Sequence, residues 1–359
     1  MYPCLEIDLE VIRDNAITLQ EKCCLWNVSP VVVTKGFLAD PPLVEALWEQ
    51  GFRKFADSNL ANLMRLRRLL GLRAELSLIR LPMLEELEAL VEENVLPFVS
   101  HHEILEELNT IARRKGKVQP VFLAMEGGDG REGLLFEELP PVVEHLQHLP
   151  HVSVRGIGTT MACLSGVLPD REVIDYLRRV KEFLQKRLKG EIVISVGGTT
   201  FLALWEESKK VQEVDEVRFG EALLFGSDIS RRRDIPWLKQ GAFTLYAEVV
   251  EVRTKEPLRN KRRGYDAFGS ECPANSDGPR KRVLVALGKQ DIDENQLYSE
   301  DIHAKIVGAT SNYLVLDVEE SERVYRVGDV VAFQAGYGAV LRAFLSPYVE
   351  KVYKKARGV

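Results

Sequence analysis

The sequence predicts a TIM-type (β/α)8 barrel followed by an all-β domain. Three observations carry this. Eight short β-branched or apolar runs alternate with amphipathic helical patterns over the first 230 residues. The runs end in polar residues or glycine, as strands do at the functional edge of a parallel barrel. Beyond residue 230 helical periodicity nearly disappears while strand-like runs continue.

The elements follow in order. EIDLEVIRDNAITLQEKCC reads as a short strand and then a helix with Asp8 at its N-cap. Strands are expected at 30–35 (PVVVTK), 52–58 (FRKFADS), 75–82 (ELSLIRLP) and 96–101 (LPFVSH). They continue at 120–126 (PVFLAME), 152–160 (VSVRGIGTT), 191–198 (EIVISVGG) and 214–220 (VDEVRFG). Between them LANLMRLRRLL, MLEELEALVEE, EILEELNTIARR and VIDYLRRVKEFLQKRL place apolar residues at i, i+3 and i+4. A doubly wound open sheet is the weaker alternative, because it usually has fewer strands. SRRRDIPWLK, at 230–239, combines charge with a proline and marks a boundary. The expected division is therefore 1–230 for the barrel, with residues 1–10 a candidate strand of the β domain, and 231–359 for the β domain. The second part holds AFTLYAEVVEVRT, RKRVLVALG, AKIVGATSNYLVLDV and DVVAFQAGYGAVLRAF, as in a barrel or sandwich.

Composition narrows the function. The chain has 359 residues, 28% charged and 45% hydrophobic, enough for a large core and two domains. A net charge of −6 argues against nucleic acid as the main partner. RNKRRG at 259–264 is a local basic exception that reads as a solvated loop, with an anion or partner site as the alternative. The five cysteines form no CxxC, which fits reduced thiols in a cytoplasm better than a disulfide framework or a zinc site. MYPCLEIDLE lacks the basic start and apolar run of a signal peptide. No segment approaches the roughly 18 apolar residues of a membrane span.

Lys35 ends the first barrel strand, in VVVTKGF. An ammonium there can snorkel to water or serve as a reactive amine. GGTT after strand 7 (Gly197 to Thr200) and RFGEALLFG after strand 8 each open a helix. Backbone N–H groups and hydroxyls there can hold a phosphate. A phosphate cradle beside a lysine is the pair that pyridoxal 5'-phosphate (PLP) requires. Arg218 can then reach the pyridine nitrogen. A guanidinium keeps its proton, so the ring is a weaker electron sink than one paired with a carboxylate, which suits racemisation better than transamination. His101 and His102 read as helix N-terminal residues rather than metal ligands, and no metal is expected. Cys163 reads as a pocket wall.

These motifs resemble the fold-type III PLP enzymes of the alanine racemase group. The resemblance lies in EIDLEVIRDN, in VVVTK, in Val217–Arg218–Phe219–Gly220 and in Arg131 within GGDGREG. GIGTTMACLSGVLP, RFGEALLFG, DAFG, ALGKQDID and FLSPYVEK are similar to the alanine/ornithine racemase branch. The resemblance implies that Lys35 binds the cofactor aldehyde and Arg218 faces the pyridine nitrogen. It implies that Thr199, Thr200 and the amides of Gly220 and Glu221 hold the phosphate. Arg131 would tune the second base or the cofactor's phenolic oxygen, and Tyr337 would approach the phosphate. Two positions depart from alanine racemase: its phosphate-binding tyrosine falls at Ala39, and its ring-stacking histidine at Thr160.

Racemisation needs an acid/base on each face of the α-carbon. Lys35 would serve one face. The resemblance assigns the other to Tyr265 of a partner subunit in a homodimer with shared active sites, with Asp266 as the alternative. A basic substrate such as ornithine needs an acidic partner, for which Asp291, with Asp293, is the candidate. A fold-type III decarboxylase or aldolase, a non-catalytic PLP-binding protein and a barrel that binds another phosphate compound are the alternatives.

Overall fold

A computed structural model describes residues 1–207, 211–257, 262, 264–271 and 278–354. The chain divides into two compact units, Glu10–Gln240 and Met1–Leu9 with Gly241–Val359. Strand β1 (Cys4–Ile7) opens the chain and helix α1 (Leu9–Trp26) follows it.

The first unit holds eight strands: β2 (Ser29–Val33), β3 (Lys54–Asp57), β4 (Glu75–Leu78), β5 (Val95–Val99), β6 (Gln119–Ala124), β7 (Val152–Thr160), β8 (Val193–Gly197) and β9 (Glu216–Phe219). They are all parallel and form a closed barrel, with β9 returning to pair with β2. Each overlaps an expected run. The strands are short, and buried β-branched and apolar residues dominate them, as a barrel covered by helices requires. Phe98 and Phe122 stack inside the barrel with ring centroids 4.8 Å apart.

The segment assigned to the β domain from residue 231 departs from expectation. Residues 231–240 pack within the barrel unit. Arg233–Asp234 pairs with Ser227–Asp228, Ile235 is fully buried, and the Asn15 side chain donates to the Lys239 carbonyl at 2.9 Å. Charge and proline there mark a turn, and the compact units part ten residues later.

The second unit is an eight-stranded sheet. Phe243–Lys255 is its longest strand and bends at a bulge between Val249 and Glu251. Before the bend it pairs with β1 and with Val330–Ala335; after it, with Arg280–Val285. Cys4–Ile7 also pairs, in parallel, with Glu350–Tyr353. The run DVVAFQAGYGAVLRAF is not one strand. It is a strand to Ala335 and then a helix, Tyr337–Leu345, with Ala339, Val340, Ala343 and Phe344 buried. Short apolar runs carry no clear period, so the switch at Gly336 was not legible. Among the described residues, no helix is long and apolar enough to cross a membrane. The basic run at 259–264 and Cys272 lie largely outside the described residues.

Candidate active site

The carboxyl ends of the barrel strands bring most of the expected residues together. Lys35 follows β2 in a single 3-10 turn, Lys35–Phe37. It is half-buried, and its amine hydrogen-bonds to none of the described residues. Thr34 beside it is fixed by Asp57, which accepts from the Thr34 hydroxyl at 2.6 Å, the Asn59 amide at 2.8 Å and the Asn62 side chain at 3.1 Å. Burial pushes the Asp57 carboxyl above its ordinary pKa, while these bonds and the nearby Lys35 pull it down.

Arg218 crosses the barrel interior. It is 3% exposed. One terminal nitrogen donates to the Ser195 carbonyl and hydroxyl, both at 2.8 Å, and the other to the Thr159 carbonyl at 2.7 Å and Thr160 Oγ1 at 3.0 Å. Its guanidinium lies 4.7 Å from the Phe98 ring centroid. A Cβ at Gly197 would come within 2.6 Å of this guanidinium, so glycine makes the room. Burial lowers the Arg218 pKa to about 10, which still leaves it protonated at neutral pH. Its Nε has no hydrogen-bond partner among the described residues.

The two turns after β8 and β9 are tied together. Thr199 Oγ1 accepts from the Ala222 amide at 3.0 Å and keeps its own proton to donate. Thr200 Oγ1 is buried with no partner among the described residues. Gly220 caps the short helix Glu221–Phe225. The Glu221 side chain is turned the other way. It accepts from Ser227 Oγ at 3.0 Å and from the Ile229 amide at 2.6 Å.

Burial pushes the Glu221 carboxyl up to about 7. In the unfolded chain it ionises near 4.5, so between those values the folded state holds the extra proton and stability falls as pH rises. Glu221→Gln removes this penalty. The variant is expected to melt higher than the unmodified chain at pH 8, by the equivalent of about 1–3 kcal/mol at about 1.4 kcal/mol per pKa unit. The two melting temperatures should converge near pH 5. A gap of the same size at both pH values would refute this.

A cavity of ≈ 350 Å³ opens beside Lys35, lined also by Arg80, Arg131, Glu132, Thr160 and Cys163. Arg131 forks onto Glu132, and its remaining terminal nitrogen lies 2.8 Å from Cys163 Sγ. The Glu132 fork holds the Arg131 pKa above its ordinary value. Asp129 joins this loop to the next by accepting from the amides of Cys163, Leu164 and Ser165 at 3.1–3.2 Å. Burial alone would raise the Asp129 pKa, but these bonds bring it below the usual carboxylate value. Sequence reading missed Asp129 and Glu132. The one available signal was that both flank the arginine in GGDGREG.

The β unit carries the remaining candidates. Tyr265 is 73% exposed. Asp266 accepts from the Phe268 and Ser270 amides, both at 2.8 Å, and those bonds lower its pKa. Lys289 sits over the Phe268 ring and pairs with Glu294 at 3.0 Å. Tyr337 opens its helix half-buried. Asp291, expected at the substrate, is 3% exposed inside the β unit and accepts from the Ser346 hydroxyl at 2.7 Å. Asp293 caps the turn Glu294–Gln296. His101 and His102 lie exposed at the start of the helix His102–Arg114. Among the described residues, no group of three or more metal-ligating side chains occurs.

These residues fit PLP. Lys35 offers an amine with no hydrogen-bond partner among the described residues, Thr200 a buried hydroxyl likewise unpartnered at the turn after β8, and Arg218 an Nε–H outside its four hydrogen bonds. The barrel, the β sheet and this edge define a fold-type III PLP enzyme. The model of the alanine racemase N-terminal domain matches residues 7–228, and the chain belongs to the alanine racemase family of PLP enzymes. Two relatives match along the full length. Lysine racemase from Thermotoga maritima is 34% identical over 355 residues, 99% of each chain. Ornithine racemase from Acetoanaerobium sticklandii is 31% identical over 353 residues, 98% of this chain and 99% of its own. Solved structures share the fold. Alanine racemase from Bartonella henselae, with covalently bound PLP, superposes with a TM-score of 0.74 at 16% identity, covering 98% of this chain and 99% of that one. The Streptomyces coelicolor enzyme gives 0.75 at 18% identity, with 98% and 97% covered.

Proposed function

We propose that the chain is a PLP-dependent racemase that interconverts the L and D forms of a basic amino acid, ornithine or lysine. The observation that carries this is Lys35, whose amine has no hydrogen-bond partner among the described residues, opening at the barrel's carboxyl edge on a cavity lined by Thr160, which accepts from the buried Arg218. The names of the two full-length relatives support the basic substrate. When bound, PLP withdraws electrons from the amino acid's α-carbon and so acidifies its proton. Lys35 Nζ takes or returns that proton on one face, and the Tyr265 hydroxyl of a partner subunit does so on the other. Arg218 would face the pyridine nitrogen and keep its own proton, which would keep electron withdrawal moderate. Thr199, Thr200 and the amides of Gly220 and Glu221 would hold the phosphate, and Thr160 holds Arg218 in place. Arg131 faces the substrate and cofactor from the cavity wall.

The working form is a homodimer, each barrel completed by its partner's β unit. The free thiols of Cys4, Cys23, Cys24 and Cys163 support a reducing compartment such as the cytoplasm. The test is a polarimetric screen of L-amino acids with the PLP-loaded protein. Ornithine and lysine should lose their rotation with no change in composition. Release of CO2 or an aldehyde would indicate a decarboxylase or aldolase instead. A bound-cofactor absorption band with no turnover of any amino acid would indicate a carrier.

A further inference from the structure

Three cations line the cavity: Lys35, Arg80 and Arg131. A substrate that brings a second positive charge is repelled there unless they are cancelled. A carboxylate stands behind each. Asp57 sits beside Lys35 and is fully buried. Glu86 takes both terminal nitrogens of Arg80, and its side chain is 7% exposed. Glu132 takes Arg131 by a fork, and its side chain is 22% exposed. Of the three, Glu132 alone is itself part of the wall, and it is the one carboxylate among the described lining residues.

Its placement is built into the loop. Glu126 accepts from the amides of Gly128 and Gly130, the latter at 3.2 Å, which closes the turn before Arg131. Gly133 follows with φ +129°, where a Cβ would lie 2.3 Å from the Glu126 nitrogen. Only glycine therefore fits directly after Glu132. A carboxylate has about four acceptor sites, and the Arg131 fork uses two. Asp291, the other acid considered for this role, has its carboxylate buried against Ser346.

We propose that Glu132 determines the preference for an amino acid with a second ammonium group, by cancelling Arg131 and by presenting to the substrate's side chain the one carboxylate among the described lining residues. This rests on the racemase reading above and deepens it. The experiment compares kcat/KM for L-ornithine with that for L-norvaline, its uncharged counterpart, in the holoenzyme and in Glu132→Gln. The ornithine-to-norvaline ratio should fall at least tenfold, mainly through KM. Glu132→Asp should keep the ratio within about threefold of the original. An equal loss on both substrates, or an unchanged ratio, would overturn the proposal.

If Glu132→Gln fails to fold or to hold the cofactor, binding to the unmodified holoenzyme and to Glu132→Asp decides, followed through the cofactor's visible absorption. 1,4-Diaminobutane should bind at least tenfold more tightly than butylamine to both. Equal binding would overturn the proposal. Inactivity of the unmodified holoenzyme on every amino acid would count against the racemase reading, while the diamine comparison would still report on Glu132.

Discussion

Lys35→Ala should abolish both the visible band of the bound cofactor and all racemisation. Lys35 is the one lysine among the described residues lining the cavity, so no neighbouring amine stands ready to replace it. The same substitution should cost little stability. The amine is half-buried and bonds to no described residue, so its loss leaves no hydrogen-bond partner stranded, and the change in unfolding free energy should stay within about 1 kcal/mol. Normal melting combined with total loss of cofactor linkage separates a chemical role from a structural one. Borohydride treatment of the unmodified holoenzyme, followed by peptide mapping, should place the reduced cofactor on Lys35. A reducible linkage at a different lysine in the Lys35→Ala variant would refute the assignment.

Tyr265→Phe should slow α-proton exchange from one enantiomer about 10²–10⁴-fold while largely sparing the other, because Lys35 still serves the opposite face. The residue is well placed for a role outside its own unit. It is 73% exposed, while the loop beside it is fixed by Asp266 and by Lys289 over Phe268. Exposure also means that stability should hardly change. Mixing inactive Lys35→Ala subunits with inactive Tyr265→Phe subunits should restore activity. Each mixed dimer of shared sites contains one intact site, so random pairing leaves about a quarter of all sites intact. A monomer with full activity, or equal slowing from both enantiomers, would refute the shared site. If Tyr265→Phe proves neutral and Asp266→Asn is slow from one side only, the second base is Asp266.

Local chemistry made the barrel legible. Runs such as VVV, FVS and VISVGG are short, buried and broken by glycine or polar residues, and the helices between them carry a strong 3.6-residue period. That rhythm of strand and helix leaves few architectures. Lys35 and Arg218 were legible for the same reason: Lys35 lies just past the end of β2 and Arg218 in the last half of β9, and in a parallel barrel that address puts a residue near the carboxyl edge. Glu221 illustrates the limit. Its side chain turns toward Ser227 and Ile229, a direction set by partners six and eight residues away.

Pairings that depend on closure were decided by the tertiary structure alone. Arg218 reaches Ser195, Thr159 and Thr160 across two neighbouring strands, over a glycine whose missing Cβ makes the room. The Asp129 clamp joins loops more than 30 residues apart. The different surroundings of Asp291 and Glu132, each within its own unit, are of the same kind. Both are acids beside promising motifs, yet one is buried against Ser346 and the other lines the cavity. Hydrophobic period and strand ends are properties of consecutive residues, so the sequence by itself determined the barrel, the β unit and the position of Lys35 just past a barrel strand. Burial, charge cancellation and hydrogen-bond partners depend on residues that only folding brings together, so the tertiary structure decided which acids and hydroxyls remain available for a ligand.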